Sequence, residues 1–413
     1  MSLFKAAAAL SAALAALPGA VSAGSLTFDA ALAQAARNAP SLRARGLAID
    51  ARRSAAVAAG QLPDPKLGLR IENFPVSGPP AFTFDGEPMT MTRLGVTQDV
   101  PNLAKRRAAR GRAAADVAIG EAQAAVEDRR VRIATAIAWI DLAFAGQRRA
   151  AIDDVLARLA RIAPAAASGV AAGSARPAQA LDIRQAIAAL EDKRSEIAAE
   201  AARARAALAR WTGDPAPEPE GAVPAFAIDP AGLRAAVDRH PDLAATIART
   251  GRAEADIVAA RAEKRPDWSF DIGYGRRAER YGDMVSAGVT ASLPLFAKRR
   301  QNPMIAAAVA EKGTALAEQE DMRRALSADL EAGLADHVMH HEQWTRAERT
   351  LLPLARQRAD LEAASYAAGR ASLTELIAAQ TAMAQASLDT LDRAAIVARD
   401  AARLVLTYGS DDR

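Results

Sequence analysis

Two periodicities run through the chain. Over most of its length apolar residues recur at spacings of three and four, the signature of helices with one buried stripe. In four short stretches apolar and polar residues alternate instead, the signature of strands with one apolar and one wet face. These predict strands at 66–75, 91–100, 267–276 and 284–293. In the third, Trp268, Phe270, Ile272 and Tyr274 alternate with Ser269, Asp271, Gly273 and Gly275. In the fourth, Val285, Ala287, Val289 and Ala291 alternate with Ser286, Gly288, Thr290 and Ser292. Elsewhere Ile183, Ile187, Leu190, Arg194, Ile197, Ala201, Ala204, Leu208 and Trp211 follow a four-three spacing. A sustained seven-residue repeat of this kind winds neighbouring helices into a left-handed supercoil. A helix from about 103 to 163 would be ~90 Å long at 1.5 Å per residue. Helices that long suit a hollow or rod-like bundle.

The pattern occurs twice. GVTQDVPNLAKRR (95–107) matches GVTASLPLFAKRR (288–300), NAPSL (38–42) matches RHPDL (239–243), and GVAAGSARPAQALD (169–182) matches SYAAGRASLTELIA (365–378). A unit of roughly 200 residues is therefore used twice. The expected organisation is a signal peptide at 1–23 and a first repeat at 24–213, followed by a Pro-rich linker at 214–229 and a second repeat at 230–413. Each repeat holds a helix (about 28–59; about 230–263), two strands and a long helical hairpin (103–211; 300–408). The prolines of DPAPEPEGAVPAF (214–226) forbid regular helix there. The fold class is mainly α with β: long antiparallel coiled-coil helices plus four strands per chain.

Composition narrows the function. Of 413 residues 51% are hydrophobic but only 4% aromatic, so a large aromatic core is excluded. There is no cysteine, which removes disulfides, thiolate zinc sites, a cysteine nucleophile and a lipidated N-terminal Cys. The net charge of +4 is spread over mixed-sign helices and gives no nucleic-acid footprint. Met1–Lys5, the apolar run that follows and the small residues before Gly24 have the three regions of a secretory signal peptide, with a cut expected after Ala23. No later apolar run is long enough for a transmembrane helix.

Polar strand faces that include Arg70, Glu72, Arg93 and Asp271 point to water, and the opposite faces need an apolar contact. Eight of the 17 aromatic residues fall within 66–101 and 267–297. Strands of ~10 residues with alternating faces and aromatics near their ends describe an outer-membrane barrel wall. Four strands cannot close a barrel, and an open edge is not tolerated in lipid. Several chains must then share one barrel, and three would give 12 strands. The alternative is a soluble periplasmic coiled-coil scaffold or adaptor-like protein whose hairpins pack on its own helices.

TQDVPNLAKRR (97–107), SLPLFAKRR (292–300) and YAAGRASLTEL (366–376), with the duplicated layout, resemble the TolC-type outer-membrane efflux family, most closely its heavy-metal-resistance branch. The resemblance implies a homotrimer in the outer membrane that extends into the periplasm as an α-helical tunnel. It implies a passive exit channel for metal ions or small toxic compounds, working with a periplasmic adaptor and an inner-membrane pump. It also implies adaptor-contacting tips at Gly169, Gly173, Gly369 and Leu373, and an aperture with Glu375, Asp182, Tyr366 and Arg370. Of the family's two acidic aperture slots Glu375 fills one and Ala378 the other, while the first repeat has Gln179 and Asp182 in those places. Taken singly, Glu375 or Asp182 also reads as a solvated acid in the first turn of a helix. The lipid-facing strand residues are expected to include Trp268, Phe270, Ile272, Tyr274 and Val289.

HVMHHE (337–342) puts His337 and His341 on one helix face, the only candidate metal ligands and weak ones without a third partner. No nucleophile–base arrangement stands out, so neither an enzyme nor a cofactor is expected.

Overall fold

The structure, a computed structural model, describes residues 25–171 and 176–409. The expected signal peptide at 1–23 and Gly173 lie outside them. The first repeat opens with β1 (Ser25–Leu26), α1 (Phe28–Asn38) and α2 (Pro40–Ala58). Strands β2 (Lys66–Glu72) and β3 (Met91–Val100) follow, then α3 (Leu103–Ala171) and α4 (Pro177–Thr212). At 69 residues, α3 is about 100 Å long. The linker carries β4 (Glu218–Pro219), which pairs in parallel with β1.

The second repeat has α5 (Pro230–Ala236), a 3₁₀ turn at Val237–Arg239 and α6 (Pro241–Ala262). Strands β5 (Asp267–Arg276) and β6 (Met284–Ser292) come next. The closing hairpin is α7 (Gln301–Arg346), a π turn at Ala347–Leu351, α8 (Leu352–Ala367) and α9 (Leu373–Tyr408).

Three expectations are corrected. The opening helix of each repeat is broken, before Pro40 and before Pro241, because a residue preceding proline is pushed out of the helical region. Both breaks fall at the matched NAPSL and RHPDL positions. Strand β2 stops at Glu72 rather than at 75, where Asn73 turns to φ 54°. Helix α3 runs through Gly169 to Ala171, so Gly169 is a helical residue within it.

The four long strands form one antiparallel sheet in the order β2-β3-β5-β6. The helices bury a narrow series of apolar seams rather than one broad core. Of the heptad positions in α4, Ile183, Ile197, Leu208 and Trp211 are buried; Arg194 breaks the stripe and pairs with Asp153 at 2.7 Å. The largest seam gathers Leu26, Phe28, Trp139, Ile140, Phe144 and Leu208. There the Trp139 Nε1–H donates to the Leu26 carbonyl at 2.8 Å, tying the start of the described chain to the middle of α3. Further seams follow the helices away from the sheet, to a cluster of Ile183, Leu373, Leu376 and Ile377 at the hairpin ends.

Candidate functional site

Register decides what the sheet presents. One cross-strand row is Leu69, Leu94, Tyr274 and Val285; the next is Leu67, Val96, Ile272 and Ala287. Phe270 and Val289 pair beside them, and Trp268 pairs with Ala291. All the apolar alternates, including the five expected from sequence, thus share one face. Apart from Val100, at the helix end of β3, the large ones on it are 41–73% exposed, so no helix among the described residues covers them. Exposed Leu293, Leu295 and Phe296 extend the apolar surface past the end of β6.

The opposite face is polar. Arg93 bridges Asp271 at 2.8 Å and Glu72 at 3.3 Å, and Lys66 reaches Asp99 at 2.6 Å. Glycines make room for these groups. A Cβ at Gly273 would collide with the Arg93 side chain, and one at Gly288 with the Asp271 carboxylate. Strands β2 and β6 are both edges of the sheet, with no neighbour among the described residues on their outer sides. At the far end the loops interlock: Arg277 donates to the Pro88 carbonyl and Arg280 to that of Asp85.

Sheet and helices are joined by a knot that sequence reasoning did not single out. The Asn102 side chain accepts from the Lys105 N–H at 2.9 Å and so caps α3. The Asn102 backbone N–H and side-chain amide both donate to Asp267 at the start of β5, while Lys105 Nζ sits between Asp267 (2.6 Å) and Glu263 (2.7 Å). In the sequence the AKRR frame reads only as a repeat marker. An Asn just ahead of a helical pattern was the available signal for its capping role.

At the hairpin ends, Gly369 takes φ 72° and the Arg370 N–H donates back to the Ser365 carbonyl at 2.8 Å, closing the reversal. Glu375 is the third residue of α9. Its carboxylate accepts from the Ser372 N–H (2.7 Å) and hydroxyl (2.9 Å), while Ser372 Oγ accepts from the Glu375 N–H (3.2 Å). This is a reciprocal capping box. The Ser372 N–H, and then its hydroxyl, hold the Glu375 carboxyl below the usual glutamate value. Gln179, its repeat equivalent, accepts from the Arg176 N–H at 3.1 Å in the same manner. Both slots thus serve helix starts.

Asp182 accepts from the Thr374 hydroxyl at 3.2 Å, linking α4 to α9. Tyr366 packs on the cluster at the hairpin ends, and Arg370 is exposed. Leu373, expected at a partner-contacting tip, is only 3% exposed within that cluster, so its side chain is committed inside the chain.

His337 and His341 lie with ring centroids 6.1 Å apart, on α7. His340, between them, points elsewhere and meets Asp400 at 2.7 Å, a pair not foreseen from sequence. Burial lowers the His337 pKa; Asp400 opposes this, and the neighbouring imidazoles add to it. Among the described residues no group of three or more potential ligands could hold a metal.

Residues 232–410 match the model of the outer membrane efflux protein family. The chain is 26% identical over 380 residues to the cobalt-zinc-cadmium resistance protein CzcC of Cupriavidus metallidurans, covering 89% of this chain and 86% of that one. Its fold is similar to that of CusC (TM-score 0.78, 16% identity, 93% of this chain and 92% of the other). It is similar also to VceC of Vibrio cholerae (0.74, 18%, 93% and 96%) and to the CmeC outer membrane channel of Campylobacter jejuni (0.77, 12%, 99% and 93%).

Proposed function

We propose that this chain is a TolC-type outer membrane efflux protein and the exit channel of a tripartite efflux system, a reading supported by the family match over residues 232–410 and the likeness to CzcC. The observation that carries the reading is the sheet: four strands with an uncovered apolar face, a charged opposite face and two unpaired edges. Unpaired backbone groups at an edge cost several kcal/mol each in lipid, so the sheet must be completed by copies of itself. Three chains give a closed barrel of 12 strands, with Arg93 and Asp271 inside and Phe270 and Val289 against acyl chains. The same threefold arrangement turns the helical hairpins into a tunnel.

In this reading residues 1–23 are removed on export, and the two repeats flank the Pro-rich linker. The exposed reversal at Gly369–Arg370 meets a periplasmic adaptor, while Asp182, Tyr366 and Glu375 lie where the aperture narrows. The likeness to CzcC favours metal ions as cargo, delivered by an inner-membrane pump. The chain supplies a passage and performs no chemistry.

The test is Phe270→Lys combined with Val289→Lys. A charge near mid-bilayer costs about 2–4 kcal/mol per site, so the double variant is expected to lose membrane assembly. If it fractionates and trimerises like the parent, the barrel reading is overturned.

A further inference from the structure

Between α3, α7, α9 and linker residues 223–228 lies a cavity of about 390 Å³, walled by Phe144, Phe226, Trp344 and Ala398. Its lining is mostly apolar, yet two imidazoles, His337 and His341, open onto it. Neither has a part in the passage described above.

We propose that His337 and His341 form a two-imidazole site for a borderline divalent cation such as Zn²⁺, Ni²⁺ or Cu²⁺, with the remaining coordination positions filled by water from the cavity. Residues four apart on a helix share a face, and both rings line the same cavity. Their centroids are 6.1 Å apart. Two imidazoles on one tetrahedral ion, with metal–nitrogen bonds of about 2.0–2.1 Å, place their ring centres roughly 5 Å apart. A small side-chain rotation closes that gap, and exposed His341 is free to make it.

The Nδ1 of His337 is buried and has no hydrogen-bond partner. An orphaned buried polar atom in an otherwise apolar wall is costly, and a metal ion would satisfy it. Asp400 lies near enough to act on His337 and adds negative potential. Imidazole suits zinc, copper and nickel, whereas the hard cations prefer oxygen donors. With two protein ligands the site is exchangeable, unlike a closed structural zinc centre.

The experiment uses the untagged mature chain in detergent, stripped by a chelator. Zinc is titrated by calorimetry and Cu²⁺ by tryptophan fluorescence, since Trp344 stands edge-on to His341 at 5.5 Å and reports quenching. One ion per chain is expected. H337Q and H341Q should each weaken zinc binding at least tenfold, and H340Q, which alters the Asp400 partner, should leave it unchanged. Trp344→Phe should remove most of the quenching without changing zinc affinity. His341 is exposed, so H341Q tests the ligand without disturbing packing. Absence of saturable binding, an unchanged affinity in H341Q, or an equal loss in H340Q overturns the proposal.

Discussion

Glu375 shows how immediate neighbours set the task of a charge. An acid at this position could line an opening, but its carboxylate here is engaged by the N–H and hydroxyl of Ser372. Because the folded value is depressed below the ordinary 4.5, its stabilising effect is present above that pH and is lost as pH falls through the lowered value. Amide exchange at the start of α9 should therefore quicken on acidification, after correction for intrinsic rates, and E375A should abolish the difference. Ser372→Ala should cost about 1 kcal/mol of protection at the same amides.

His240 is the opposite kind of residue: buried, capping α6 by accepting from the Asp242 N–H at 3.1 Å, and packed against Tyr408. Burial lowers its pKa from 6.5; Asp242 opposes the shift and Arg129 adds to it. The unfolded chain therefore binds the proton more readily, and this contribution to stability is lost as pH falls below 6.5. H240N keeps a capping acceptor without titrating. It should flatten the pH dependence of the melting temperature between about pH 5 and pH 7.5.

Among elements, the junctions are more exacting than the helices they join. Gly60 ends the passage from α2 towards β2 at φ 68°, and its carbonyl accepts from Arg106 Nε at 2.9 Å. A Cβ there would collide with the Arg106 backbone carbonyl, whereas one at Gly369 would meet open space at a similar φ. Gly369→Ala should cost only the ~1–2 kcal/mol of a left-handed non-glycine residue. Gly60→Ala should cost clearly more, because backbone must move, and the two melting temperatures compare them directly. The helices themselves were legible because a seven-residue apolar repeat is a local property; Ile183, Ile197, Leu208 and Trp211 all turn inward. Their breaks were less so. Pro40 and Pro241 each lie inside a pattern that reads as continuous, and the prolines outweigh it.

For the molecule as a whole, the helices and the sheet answer to different solvents. The main helical clusters are buried within one chain, although helical residues such as Val57, Leu181 and Leu361 stay exposed, while the apolar sheet face is covered by none of the described residues. Withdrawing detergent should therefore aggregate the protein through the sheet while its far-ultraviolet helical signal persists. A chain that stays monodisperse and single without detergent would contradict this. Loss of helix before aggregation would show that the seams depend on the assembly.

The sequence by itself determined what is local or periodic: the four strands, the long helices, the duplicated unit, the reversal at Gly369 and the apolar identity of alternate strand residues. These follow from neighbours in the chain, and two periods are enough to read them. Only the tertiary structure decided which residues meet across large separations. Leu69 and Leu94 share a row with Tyr274 and Val285 because register was set between distant segments. Asn102 finds Asp267, Asp182 finds Thr374 and His340 takes Asp400, while Leu373 turns inward away from a partner. No spacing along the chain encodes such pairings, since they arise only when packing brings the two repeats together.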